Sequence, residues 1–333
     1  MSRSGFAAAG HYFFYTVISG ESMDRKSHTY LYRKKVIISN LQSYSLLLPN
    51  LLLFGAFSVY PVFWTLNFIF YRFSGVAGVT PVFVGLENLA RVFRDPIYLL
   101  SVRNTFVYAA GKIILVIPLS FFLALILNKK FTGNWLFQSV IFMPTIMSSA
   151  VMGLVFWLLF NTFNGDVNRF LMTLRIISEP VNWLGRDNAM LTLILVSVWG
   201  GVGNYMVYFI AGLQMISREA IESALIDGAN RRQVLWYITV PMLGPILKII
   251  LMLAITVAFS DMNMVMVLTE GGPVNATMVM ALYGYSFFFP ISVATVTIPQ
   301  YGYGAAVSFV SALISGIITL IYLFVSRKMD KIF

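Results

Sequence analysis

Residues 105–127 read TFVYAAGKIILVIPLSFFLALIL. A helix needs about 20 mostly apolar residues to cross a bilayer, and this stretch meets that length. Five further runs do the same, at 46–71, 135–160, 190–213, 242–268 and 303–325. Together they predict an all-α polytopic membrane protein with six transmembrane helices. An earlier apolar stretch, 6–19, is too short to span and is followed by no small-residue cleavage site; it is expected to lie at the membrane interface, to fray, or to precede the true start, since Met23 opens a plausible shorter chain.

Composition supports the lipid setting. Of 333 residues, 59% are hydrophobic and 11% charged, against about half and about a quarter in soluble domains, and the mean hydropathy is +0.80. The chain has no cysteine, and its two histidines, His11 and His28, precede the first long apolar run. Thiolate chemistry, disulfide frameworks and Cys/His metal sites are therefore not expected.

The net charge of +10 reads as loops facing anionic lipid rather than as a nucleic-acid surface. With the N-terminus inside, the inner side carries Arg25, Lys26, Arg33, Lys34, Lys35, Lys129, Lys130, Arg218, Arg231, Arg232, Arg327, Lys328 and Lys331. The basic residues of the outer loops are nearly balanced by Glu87, Asp95, Asp166, Glu179, Asp187 and Glu270. Both termini are thus expected in the cytoplasm. Residues 1–41 form a cytoplasmic segment, and 42–333 the transmembrane domain.

One inner loop, 214–241, is too long to be a simple connection. Ser217 can cap a helix with Glu219 in its first turn, and Ala220, Ile221, Ala224 and Leu225 give that helix one apolar face. Gly228 permits a bend. Asn230 with Gln233 three residues later resembles a capping box opening a second helix, which carries Val234, Leu235 and Ile238 before Pro241. The prediction is an amphipathic helical hairpin at the membrane surface, which could simply complete a loop or dock a partner.

Glu222-Ser223-Ala224, Asp227-Gly228-Ala229, Ile238 and Pro241, in this order about a hundred residues before the C-terminus, resemble the EAA loop of binding-protein-dependent ABC importer permeases. Ser223 stands where Ala is usual, Leu235 where Phe is common, and Trp236-Tyr237 where basic residues are frequent. Weaker matches run along most of the chain: Phe83 to Asn88, Arg103-Asn104-Thr105, Pro144, Trp157 with Phe160-Asn161, Ala211 to Gln214, and Thr269 to Pro273. Together these resemble the maltose-type carbohydrate branch. The resemblance implies the type I ABC importer permease fold, with a core region about 100–327, in a bacterial cytoplasmic membrane. It further implies a second homologous permease, two copies of a cytoplasmic ATPase, an extracytoplasmic solute-binding protein and membrane lipid as partners. This chain would itself hold no cofactor, ATP and Mg2+ belonging to the ATPase. Glu222, Ser223, Ala224, Asp227, Gly228, Ala229 and Arg231 would form the coupling contact with that ATPase.

Polar groups inside a bilayer are costly and usually face a cavity or a partner helix. Trp199, Asn204 and Tyr205 lie around a Gly-rich segment of the fourth span, and Asp261 and Asn263 lie in the fifth. Amide, hydroxyl and carboxylate groups exchange hydrogen bonds with sugar hydroxyls, and aromatic rings stack on apolar sugar faces. The same residues could equally serve helix packing, and Asp261 could sit near the outer interface. Tyr283, Tyr285, Tyr301 and Tyr303 read as belt or packing residues.

Other function classes fit less well. A secondary transporter is expected to show internal repeats and discontinuous helices, and it leaves the hairpin without a task. Import of a non-sugar solute by the same kind of permease is a further alternative. An intramembrane enzyme lacks H-E-x-x-H and any convincing nucleophile–base pair. There is no P-loop either, since Gly111-Lys112 is followed by Ile113 and has no Gly-rich lead.

Overall fold

The computed structural model describes residues 44–76, 78–129, 131–291 and 298–329. The predicted cytoplasmic segment 1–41, with the 6–19 stretch and Met23, lies outside the described residues, as do Lys130 and Lys331. The chain divides into two units, up to Trp64 and from Thr65 onward. The described part of the first unit is helical. It belongs to helix α1, Tyr44–Phe70, whose last residues fall in the second unit.

Within the second unit, the segment that follows α1 is ordered rather than a plain loop. Strands β1 (Tyr71–Arg72) and β2 (Val82–Phe83) pair antiparallel, with Tyr71 opposite Phe83. Helix α2 (Glu87–Val92) follows. Asn88 is buried and donates its amide to the Ile69 and Tyr71 carbonyls at 2.8 and 3.0 Å, which satisfies backbone acceptors where α1 ends.

Helix α3 (Pro96–Leu127) is the long span quoted above, beginning nine residues earlier than expected. Asp95 caps it, its Oδ1 accepting from the Ile97 and Tyr98 amides, while Pro96 occupies the first turn, where no N–H is needed. Its Oδ2 accepts from the Tyr283 and Tyr303 hydroxyls, each at 2.6 Å. Burial pushes the Asp95 carboxyl up, but these hydroxyl and amide donors outweigh it and hold the group below the usual carboxylate range. A lowered folded pKa means stabilisation that is complete above the unfolded value of about 4 and is lost as pH falls through the folded value. Asp95→Ala is expected to lower the thermal midpoint in detergent at neutral pH, through a loss of about 1–2 kcal/mol for the cap alone. The gap between variant and wild type should close in acid. An unchanged midpoint at neutral pH would remove Asp95 as the anchor of this corner.

The expected third span, 135–160, is two helices. Helices α4 (Asn134–Ile146) and α5 (Ser149–Leu159) meet at 96°. Pro144 removes a backbone donor near the end of α4, Met147 and Ser148 are extended, and the Ser148 hydroxyl caps α5 by accepting from Val151 N. Helix α6 (Asp166–Thr173) leads to α7 (Ala189–Gln214), the fourth span. Helices α8 (Arg218–Ile226) and α9 (Arg231–Met242) make the hairpin. Helix α9 continues past Pro241 and meets α10 (Gly244–Ser260) at 66°. The expected fifth span, 242–268, is then interrupted again: α10 stops at Asp261, whose backbone is extended, and α11 (Asn263–Leu268) begins anew. Helices α12 (Met280–Ser286) and α13 (Tyr301–Met329) complete the chain.

Contacts fix the directions. Tyr108 meets Ser197 and Ser120 meets the Val202 carbonyl, so α3 and α7 run the same way. Asp95 meets Tyr303 and Tyr98 meets Ser311, which aligns α13 with them, whereas Lys248 near the start of α10 meets Tyr322 near the end of α13, as antiparallel helices do. The buried core lies among these four helices, with Tyr108, Leu193, Met206 and Ile250 almost wholly enclosed. Tyr283 and Tyr303 are packing residues as expected; Phe287 meets Tyr303 edge-on at 4.9 Å.

Candidate functional site

Two regions hold the residues singled out from the sequence. The hairpin forms by local chemistry. Ser217 accepts from Ala220 N and starts α8, with Glu219 in the first turn. At its other end Gly228 takes φ +87°, a left-handed conformation, and Ala229 N returns to the Ala224 carbonyl at 2.9 Å. The Asn230–Gln233 capping box is present in both directions: Gln233 Oε1 accepts from Asn230 N at 2.8 Å, and Asn230 Oδ1 accepts from Gln233 N at 3.0 Å.

Among the described residues, the tip meets no charged partner. Glu222, Ser223, Asp227, Gly228 and Arg231 are exposed, and Ala224 and Ala229 half-buried. Among the described residues Glu222, Asp227 and Arg231 make no ion pair. Ile226, 85% exposed, and Tyr237, 78% exposed, add apolar surface between those charges. A mixed apolar and charged projection of this kind suits a protein partner.

The second region is a cavity of about 380 Å3 within the spans. Its walls come from both broken spans: Met147 and Ser149 at one break, Ser260, Asp261 and Asn263 at the other. Ser197, Gly200 and Gly201 of α7 and Lys112 of α3 line it as well. Helix ends supply backbone bends and short polar side chains where a straight helix would present only its lateral face.

Lys112 and Asp261 form an ion pair at 2.7 Å, with side chains only 8% and 15% exposed. The Tyr108 hydroxyl donates to the same carboxylate oxygen, Oδ2, at 2.6 Å and stands 2.8 Å from the Ser197 hydroxyl. Lys112 is the seventeenth residue of the 32 in α3. Asp261 therefore sits opposite the middle of a span and not at its edge, where the sequence also allowed it. A charge at that depth needs a partner, and Lys112 is that partner. Lys112 is not among the pathway candidates legible in the sequence by residue type near the glycines, although a lone lysine inside a long apolar run is the signal that marks it.

The other pathway candidates are separated by the fold. Asn263 lines the same cavity as Asp261. Trp199 is edge-on to Phe156 at 5.1 Å and faces a different, almost wholly apolar cavity with Leu123, Val140 and Met143. Asn204 is half-buried one turn beyond Gly200 and Gly201, and it does not line the polar cavity. Tyr205 is 4% exposed and belongs to the core, where it packs near Tyr208. Discontinuous spans, expected of a secondary transporter, are present here as well, so that feature does not separate the two transporter classes. No group of three or more His, Asp or Glu side chains able to hold a metal occurs among the described residues.

Comparison with known proteins decides the class. Residues 116–331 match the family described as binding-protein-dependent transport system inner membrane component. The lactose transport system permease protein LacF of Rhizobium radiobacter is 30% identical over 84% of this chain and 92% of its own length. The multiple sugar-binding transport system permease protein MsmF of Streptococcus mutans is 28% identical over 88% and 98%. A solved bacterial ABC transporter involved in import of the acidic polysaccharide alginate has a chain that superposes with TM-score 0.75. It is 20% identical and covers 88% of this chain and 98% of that one, which bears on fold alone. From these matches, and from broken spans around a polar cavity with an exposed helical hairpin between the fourth and fifth spans, the chain belongs to the inner membrane components of binding-protein-dependent transport systems, as an ABC importer permease.

Proposed function

We propose that this permease forms, with a second homologous permease, the translocation path for a carbohydrate delivered by an extracytoplasmic solute-binding protein. The hairpin 214–241 docks on a separate ATPase, which supplies ATP and Mg2+. Both termini and the hairpin then face the cytoplasm, in keeping with the loop charges. The names of LacF and MsmF support a sugar as cargo.

The observation that carries the pathway reading is the supply of unengaged polar groups at the cavity. The side chains of Ser149, Ser260 and Asn263 have no hydrogen-bond partner among the described residues, and neither has Oδ1 of Asp261. Ser260 and Asn263 are exposed in this chain and Ser149 half-buried, whereas among the described residues every buried side-chain polar atom is paired. Donors and acceptors left facing a cavity suit a polyhydroxy ligand, which can exchange a bond with each.

Movement follows from the attachment of the hairpin to α7 and α10. If closure of the ATPase dimer draws the docked hairpins together, those spans turn and the cavity changes the side on which it opens.

In liposomes holding the co-purified importer, Asp261→Ala is expected to reduce saccharide uptake about tenfold or more at subsaturating concentration, since a hydrogen bond to a charged group contributes about 1.5–3 kcal/mol, and Asn263→Ala about two- to tenfold, since a neutral one contributes about 0.5–1.5 kcal/mol. Assembly should persist in Asn263→Ala; Asp261→Ala also leaves the Lys112 charge without its partner, so its uptake is compared per assembled complex. Asn204→Ala is expected to have a smaller effect, because Asn204 lies outside the cavity wall. Normal uptake by both cavity variants, in a complex that assembles normally, would return these residues to packing.

A further inference from the structure

The cavity wall holds two charges, Lys112 and Asp261, and they neutralise one another across 2.7 Å. Every other side chain on the wall is uncharged at neutral pH. The two donors that reach Asp261, the Lys112 ammonium and the Tyr108 hydroxyl, both bind Oδ2. Oδ1 has no partner among the described residues, and Asp261 stands in the cavity wall. Lys112 Nζ also approaches the Tyr108 hydroxyl at 3.3 Å, so the three groups brace one another. The carboxylate is held by one oxygen and offered by the other.

We propose that Lys112, acting with Tyr108, is a positioning and specificity-determining residue: it orients Asp261 Oδ1 as an acceptor for a saccharide hydroxyl and cancels the charge of the wall, so that this cavity takes an uncharged saccharide and rejects a uronate. The inference rests on the pathway reading above and adds to it a substrate class and a residue. An uncharged sugar supplies hydroxyl donors to Oδ1 and to the free side chains of Ser149, Ser260 and Asn263. A uronate carboxylate instead meets a lysine already paired and a second carboxylate beside it, and like charges in a confined site repel.

Two roles for the ion pair predict different outcomes. If Lys112 served only to let Asp261 be buried, removing both charges together would restore what removing one destroys, because replacing both partners of a buried pair is often neutral. If Lys112 aims Asp261 at the ligand, the double variant restores assembly but not binding.

The test is binding of labelled oligosaccharides to the complete purified importer in nanodiscs, with uptake in liposomes alongside. The probes are malto-oligosaccharides and galacto-oligosaccharides as uncharged members and oligogalacturonate as the acidic one. An uncharged probe is expected to bind the wild type at least tenfold more tightly than oligogalacturonate. Lys112→Met should weaken that binding about tenfold or more, with Lys112→Arg staying within a few-fold of wild type. Lys112→Met combined with Asp261→Asn should melt like wild type and still bind weakly. Recovery of binding in the double variant would show that the saccharide needs neither charge and would overturn the positioning role together with the Asp261 contact, and oligogalacturonate binding as tightly as the uncharged probes would overturn the substrate class. Should Asp261→Ala leave uncharged-saccharide binding and uptake unaltered, or should no probe of either kind bind the wild type, the pathway reading itself falls. Wild-type binding by Lys112→Met, with Asp261→Ala impaired, would overturn only the inference about Lys112.

Discussion

Gly228→Val is expected to yield an inserted, assembled permease pair that recruits less ATPase and imports saccharide at a small fraction of the wild-type rate. The reason is confined to the backbone. Gly228 adopts φ +87°, and a Cβ placed there would meet nothing within 4 Å, so the substitution creates no collision. What it adds is the cost of forcing a β-branched residue into the left-handed region, about 1–2 kcal/mol. That corresponds to about a 5- to 30-fold shift against the docking form of the hairpin. Gly228→Asn is the control, since asparagine tolerates this conformation far better. Retention of ATPase on affinity-tagged permease, measured with saccharide-driven uptake, separates the cases. Equal recruitment by the Val and Asn variants would show that the turn does not matter for docking.

Glu222→Lys tests the charge on the same projection. Glu222 is exposed and has no ion-pair partner among the described residues, so its reversal leaves the permease fold intact while altering whatever it faces in the complex. It is expected to weaken ATPase association at physiological salt and to leave insertion unchanged. The loss should be larger at low ionic strength, where charge contacts are less screened.

The hairpin was readable from the sequence because its determinants are local. Ser217, Gly228 and the Asn230–Gln233 box act on backbone groups within a few residues of themselves, and each does what its position predicted. The lengths of the apolar runs likewise located the spans. They could not reveal the breaks after Ile146 and Ser260, since hydropathy registers only how much apolar surface a segment carries and is blind to a change of direction inside it. Lys112 shows a different limit. Within the run 105–127 it is a single charge whose partner lies 149 positions away, and that pairing exists only once α3 and the second break are packed together. The weaker family-like residues behave in the same way. Asn104 donates to the Asn275 and Met278 carbonyls, and the Thr105 hydroxyl accepts from Met280 N, so both fasten the segment leading into α12 to α3. Their positions were visible in the sequence; their work is tertiary.

The glycines of 199–203 carry the last expected result, because the fold assigns adjacent members different duties. A Cβ on Gly203 would lie 2.5 Å from the Ile141 carbonyl oxygen and 2.8 Å from Phe142 Cα. Both are main-chain atoms of α4, which cannot swing aside as a side chain would. A Cβ on Gly201 would meet Val116 Cγ2 at 3.7 Å and Tyr205 Cε2 at 3.8 Å, ordinary contact distances. Gly203→Ala therefore has to push α4 away from α7, at about 1–3 kcal/mol, whereas Gly201→Ala has room. The displacement would also reach the polar cavity, since the Thr145 hydroxyl of α4 donates to the Gly200 carbonyl at 3.1 Å and both residues stand in its wall. Gly203→Leu is expected to abolish assembly and Gly203→Ala to lower the thermal midpoint by several degrees and impair uptake. Gly201→Ala should keep the midpoint of wild type, so that any change in its uptake reports on the cavity alone. Thermal unfolding of the three variants in detergent, followed by size-exclusion profile, decides the matter: equal midpoints for the Ala variants at 201 and 203 would mean that α4 and α7 do not depend on main-chain contact at Gly203.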